Sequence, residues 1–139
     1  MPEMSSFMYC EQVMVNQSDN KMRIEGPVNL MNPLFIPSMY SFAIVLGIVG
    51  VDTTVNNTLN IKFLNSNEEV VIDTNLLPIE KESNTEKNDL PFEMRGIQIN
   101  MDFRNVALRV EGIYKTVIAF NNEVIGVYPI PVKAVENNG

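Results

Sequence analysis

Strict alternation at the start of residues 97–132 constrains this chain more than any other feature. Ile97, Ile99, Met101 and Phe103 alternate with Gln98, Asn100, Asp102 and Arg104. One side is apolar and the other wet, the pattern of a half-buried strand. Glu111-Gly112-Ile113-Tyr114 follows, then Thr116-Val117-Ile118-Ala119-Phe120, then Asn121-Asn122, then Glu123-Val124-Ile125-Gly126-Val127-Tyr128. Asn tolerates the positive φ of a tight turn, so two β-rich runs around an Asn pair predict a hairpin. An acidic-Gly-x-Tyr segment before the last hairpin fits the corner of a β-sandwich, where a Tyr hydroxyl bonds back to the backbone. The alternative for Tyr114 is a ring that simply packs in the core.

The same reading extends over the chain. Strands are expected over 6–15, 21–25, 39–51, 58–64 and 69–74, separated by Asn-, Ser-, Gly- and Pro-rich turns. The run over 39–51 is apolar on both faces, contains two Gly and has no charge, which favours a buried strand over a helix. Gly26-Pro27 should break the first hairpin, because Pro cannot donate to a sheet ladder. Leu90-Pro91-Phe92 should re-enter the core. The expected core is Tyr9, Val13, Ile24, Phe42, Ile44, Leu46, Leu59, Ile61, Phe63, Ile72, Ile97, Ile99, Met101, Phe103, Tyr114, Ile118 and Phe120. These elements predict an all-β, two-sheet antiparallel β-sandwich of Greek-key, immunoglobulin-like type, with a small closed β-barrel as the alternative. One domain over 1–139 is expected, with a mobile loop at 81–89 and a frayed tail at 136–139.

Composition narrows the function classes. The chain has no His, which removes the commonest general base and metal ligand together with the Ser-His and Cys-His triads. No phosphate-cradling Gly loop, zinc spacing or Ca²⁺ loop is present, and Asp52, Asp73, Asp89 and Asp102 are scattered singly. The expectation is a non-enzyme with no cofactor and no metal. A net charge of −7 weighs against nucleic acid and anionic membrane as partners. The single cysteine, Cys10, forbids an internal disulfide, and the first six residues lack the basic and apolar regions of a signal peptide. A cytoplasmic location is expected.

Two surfaces stand out as candidates. Arg95, Arg104 and Arg109 fall close together in an otherwise acidic chain. With Tyr128 they could take an anion, an acidic peptide or a small ligand, because the guanidinium fork matches carboxylates and phosphates. The other reading is ion pairing with Glu93, Asp102 and Glu111. The second surface is apolar. Ala43, Val45 and Val49 oppose the inward set of the long strand, Val117 and Ala119 oppose Ile118 and Phe120, and Ile125 and Val127 oppose Val124 and Tyr128. If these segments share a sheet, their outer sides merge into one patch that something must cover. The N-terminal strand or the segment Leu30 to Pro37 could cover it from within the chain; otherwise a second copy across a two-fold axis is the most economical cover, and a homodimer is expected.

Tyr9-Cys10-Glu11, Gly26-Pro27-Val28-Asn29, Phe35-Ile36-Pro37-Ser38-Met39-Tyr40-Ser41-Phe42, Asp102-Phe103-Arg104-Asn105, Glu111-Gly112-Ile113-Tyr114 and Pro129-Ile130-Pro131-Val132 together resemble a known pattern. They are similar to an uncharacterised family of small β-sandwich proteins from low-GC Gram-positive bacteria and their phages. The resemblance covers nearly the whole chain and implies a cytoplasmic β-sandwich; its motifs are structural, so it assigns no functional residue. Two functions follow as expectations. One is a non-enzymatic interaction module that binds another protein or itself, in a phage- or defence-associated setting. The other is a small-ligand or carbohydrate-binding domain acting as a sensor.

Overall fold

Alternation becomes nine strands in the computed structural model, which describes residues 1–81 and 90–135 and omits the side chain of Phe92. They are β1 (Glu3–Val15), β2 (Met22–Pro27), β3 (Ser38–Val49), β4 (Asn57–Leu64), β5 (Val70–Asp73), β6 (Leu77–Ile79), β7 (Gly96–Leu108), β8 (Gly112–Phe120) and β9 (Glu123–Val132). The one helical element among the described residues is a 3₁₀ turn at Phe92–Met94. The expected loop at 81–89, apart from Lys81, and the tail at 136–139 lie outside the described residues.

One sheet runs β2-β1-β3-β7. The other runs β5-β4-β8-β9, with β6 also pairing β4. Every strand pairing is antiparallel. The two sheets do not join into a barrel. The one bridge outside the named strands that the described residues make, Met31 to Val132, is isolated and parallel. Three strands of the first sheet (β1, β3, β7) and the β5-β4-β8-β9 sheet follow the path of an immunoglobulin-type sandwich, with β2 as an added edge.

The core forms where the two inner faces meet. Phe42, Ile44, Leu46 and Ile48 of β3 face Leu59, Ile61 and Phe63 of β4 and Tyr114, Ile118 and Phe120 of β8, all buried. Phe42 stands 5.2 Å from Phe63 and 5.4 Å from Phe103 between ring centres, so aromatic contacts cross the sandwich. Tyr9, Met31, Val51, Val106, Leu108, Ile130 and Val132 complete the core.

Several expected core residues sit elsewhere. Ile24 is exposed, because β2 is the outermost strand and overhangs the core. Ile72, Ile97, Ile99 and Met101 do pack against the core, as expected, but stay half-buried, because β5 and β7 are sheet edges and face solvent on one side. Val13 packs on the outer side of the first sheet against Cys10, Ala43 and Val45. Leu90 is exposed and does not re-enter the core. β6 pairs with β4 despite Pro78 at its centre.

Local chemistry sets the two turns flanking β8. Asn121 and Asn122 both adopt positive φ, at 50° and 68°, in the two-residue loop that pairs Phe120 with Glu123. The Asn121 carboxamide also accepts from Thr58 N at 2.9 Å and donates to Asn57 Oδ1 at 2.9 Å, tying the turn to β4. At the other end Tyr114 donates to Val110 O at 2.7 Å, which makes the sandwich corner. Gly112 lies at φ 130°, where an added Cβ would fall 2.5 Å from Ser66 Cβ. That contact explains the Gly of the Glu-Gly-x-Tyr segment.

Candidate functional site

The outer face of the β5-β4-β8-β9 sheet is built by the same alternation that builds the core. Tyr114, Thr116, Ile118 and Phe120 point inward, so Ile113, Lys115, Val117 and Ala119 point outward. Cross-strand pairing sets rows on this face: Asp73, Lys62, Val117 and Val127 form one, and Asn60, Ala119 and Val124 another. Ile113 pairs Pro131 and Lys115 pairs Pro129.

The β8–β9 half of the face is therefore an apolar stripe. Ile113, Val124 and Val127 are 59%, 58% and 50% exposed. The β4–β5 half is polar. There Glu68, in the turn between β4 and β5, takes Lys115 of β8 at 2.6 Å, and Asn60 donates to Asp73 at 2.8 Å. That hydrogen bond and the Asn75 amide hold the Asp73 carboxyl below its usual range. A shallow dish lined by Lys62, Asp73, Asn75, Leu76 and Asn122 opens on this half, with no aromatic ring in its lining.

The sequence-predicted apolar patch divides. β3 lies in the opposite sheet from β8 and β9, so its residues cannot merge with theirs. Ala43 and Val45 are small side chains already covered within the chain, where Val13 and Met22 pack against them and Cys10. Burial pushes the Cys10 thiol up, and Asp102 adds to the shift. Val49 is exposed at the end of β3, on the other sheet. Ile125 turns the other way. The register shifts between Ile118 and Ala119, leaving Ile125 as the extra residue of a bulge that packs toward the core, while Val124 points out. Val117, Ala119 and Val127 remain on the face, and Ile113, Val124, Pro129 and Pro131 join them.

The Arg trio is spread out by the strand that carries it. At about 3.3 Å per residue, nine residues of extended chain place Arg95 roughly 30 Å from Arg104. Arg95 caps the far end, where its Nε donates to Leu90 O at 2.8 Å and its carbonyl accepts from Gly50 N at 2.9 Å. Arg104 and Arg109 lie toward the other end and border the seam between β5 and β7. Arg104 approaches Asp102 at 4.0 Å, both exposed.

Tyr128 is not at an open site. Its ring stacks on Phe7 at 4.1 Å, and its carbonyl accepts from the Tyr9 hydroxyl at 2.6 Å. Among the described residues, no group of three or more Cys, Asp or Glu is placed to hold a metal ion. No helix among them is long and apolar enough to cross a membrane.

A profile of the Family of unknown function DUF6941 matches residues 5–133, so the chain belongs to that family. No curated protein matches it. Among solved structures, a β-glucosidase from Listeria innocua aligns with a TM-score of 0.51 and 8% identity over 96% of this chain. An immunoglobulin-like protein from Pseudomonas aeruginosa aligns with a TM-score of 0.43 and 9% identity, covering 95% of this chain and 96% of its own. An alkylpurine DNA glycosylase, AlkC, from Pseudomonas fluorescens aligns with a TM-score of 0.49 and 8% identity over 92% of this chain. This chain spans 16% of the glucosidase and 30% of the glycosylase, and the likeness to the glucosidase is one of fold alone.

Proposed function

We propose that this member of the DUF6941 family is a non-enzymatic interaction module. It docks a protein partner, a second copy of itself being the simplest, through the outer face of the β5-β4-β8-β9 sheet. One observation carries the reading: the stripe of Ile113, Val117, Ala119, Val124 and Val127 that the β8–β9 hairpin turns to solvent. Two strands of nine and ten residues make a stripe roughly 30 Å by 10 Å, on the order of 300 Å². Exposed apolar patches of that size on soluble proteins commonly mark a binding surface. A stable interface buries about 800 Å² per partner. The stripe would thus be its dry centre, and Lys62, Asp73 and the Lys115–Glu68 pair its polar rim.

The test is a double substitution, Ile113→Asp with Val127→Asp. Both side chains are more than half or half exposed, so the fold should survive, and circular dichroism checks that it does. Sedimentation of wild type in the micromolar range should show association that the double variant loses. Partners copurified from the source cell should be lost with it. A wild type that stays monomeric and retains the same partners as the double variant sinks the proposal.

A further inference from the structure

The two sheets part along one side of the sandwich, between the edge strands β5 and β7. Two cavities of ≈ 260 Å³ and ≈ 410 Å³ lie in this seam and share Val71 and Ala107, so they form one groove. Val71, Ile72, Phe103 and Val106 supply the apolar part of its lining, its floor, and polar groups supply the larger share of its surface. Arg104 and Arg109 stand on its rim. β7 bonds β3 along one edge, and along the other it has no strand partner among the described residues. A sheet edge of this kind presents unpaired N–H and C=O groups to an incoming strand.

A bulge makes the groove bifunctional. The β3–β7 register shifts between Tyr40 and Phe42, opposite Arg104 and Asn105. Asn105 adopts φ 54°, and its amide donates to Ser41 Oγ at 3.0 Å. The extra residue re-phases the strand: Phe103, Val106 and Leu108 all face inward, so Ala107 and Arg109 follow Arg104 outward. Without it, Arg104 and Arg109 would fall on opposite faces. The Arg109 guanidinium makes no hydrogen bond or ion pair among the described residues, and the Arg104 contact with Asp102 is exposed and long.

We propose that this groove is a strand-addition site for an extended, acidic segment of a partner protein, laid along the free edge of β7. Extended chain fits because the docking groups are backbone amides of an edge strand. Carboxylates fit because the two rim groups are guanidinium forks. The five positions from Arg104 to Arg109 include the bulge residue and so span about four regular strand steps, roughly 13 Å; the segment therefore carries its acids about four positions apart, both on the side of the two arginines, with apolar side chains over the floor between them. A single phosphate cannot bridge that distance, and two arginines on a chain of net charge −7 are too few for nucleic acid. Glu69 and Asp102 on the same rim oppose the ligand and tune its affinity down. The site lies on a sheet edge, apart from the apolar face, and stands or falls separately from the dimerising stripe.

The probe is the synthetic pentapeptide acetyl-Asp-Val-Thr-Val-Asp-amide, whose two acids share one face and whose two Val share the other, titrated into the ¹⁵N-labelled full chain. Amide shifts are expected in β5 and in residues 102–108, unchanged in the Val127→Asp background. Arg104→Ala and Arg109→Ala should each weaken binding about tenfold, the scale of one charge-assisted bond. Glu69→Gln and Asp102→Asn should each tighten it about two- to threefold, a gain that a merely structural role would not produce. The proposal is overturned by no shifts at the solubility limit, or by equal binding of the Lys-for-Asp peptide. The same shifts from inorganic phosphate alone, or indifference to both Arg substitutions, also overturn it.

Discussion

Removing the Tyr9 hydroxyl should uncouple the two sheets in a measurable way. That oxygen donates its one hydrogen to Tyr128 O at 2.6 Å and accepts from Thr116 Oγ1 at 2.7 Å, so one atom of β1 ties to both β8 and β9. Tyr9 and Thr116 are 6% and 1% exposed, so neither orphaned group could turn to water. Tyr9→Phe leaves a buried hydroxyl and a carbonyl short of a partner, at about 2–3 kcal/mol. Thr116→Val removes one bond while Tyr9 keeps its carbonyl partner, at about 1 kcal/mol. The double variant then has no orphaned hydroxyl at Thr116 and should fall about 1 kcal/mol short of the sum of the singles. Urea unfolding followed by far-ultraviolet circular dichroism provides the three differences at constant slope. With no Trp in the chain, dichroism is also the cleaner probe. Strictly additive losses would refute the shared hydrogen bond.

Alkali should unfold the protein by the same group. Burial pushes the Tyr9 hydroxyl from 10.0 up to about 12, and the Thr116 hydrogen bond only partly offsets it. The folded state thus keeps a proton that the unfolded chain releases. Its stability is intact below pH 10 and drains between pH 10 and about 12, by roughly 2–3 kcal/mol at 1.36 kcal/mol per unit. Burial raises Tyr114 and Tyr128 in the same direction, and a stability-against-pH series on Tyr9→Phe should show a visibly shallower fall. Phe42→Ala and Phe63→Ala, at 2% and 1% exposure, should each cost about 3–5 kcal/mol in the same assay. Val45→Lys, which on an interface would yield a soluble monomer, should instead destabilise or misfold the chain because Val45 is covered by its own neighbours. In the turn, Asn122→Gly should be neutral or stabilise by up to about 1 kcal/mol because both residues need positive φ. Asn121→Gly should lose that advantage by dropping the two bonds to β4.

What could be read in the sequence was what is decided within a few residues. The Asn121-Asn122 hairpin, the Tyr114 corner and the alternation of Leu59, Ile61 and Phe63 are local, and the structure bears them out. Two kinds of information were not local. Which sheet receives β3 depends on pairing with β1 and β7, and that placement separates Val45 from Val127. The bulges at Ile125 and at Arg104-Asn105 each insert one residue and invert everything after them, yet Asn105 and Gly126 look like ordinary polar and turn residues. The candidate face was legible in Val117, Ala119 and Val127. Val124 and Ile113 were missed, Val124 because alternation was carried through the bulge unbroken. The positive φ at Asn105 had a signal, since Asn is the residue that most readily adopts it outside Gly.

The bond from Tyr9 to Tyr128 also has a consequence in time. β1 lies between β2 and β3, and its inner side rests on residues of β8 and β9 more than a hundred positions later. On the ribosome the early strands can pair among themselves, but the hydroxyl of Tyr9 cannot complete its two bonds, nor the ring of Phe7 its stack on Tyr128, until β9 has emerged. A sandwich sewn from its first strand to its last has high contact order and folds slowly for its size, in milliseconds to seconds. The half-made sheet, with its apolar inner face open for the length of translation, is then the form most in need of a chaperone.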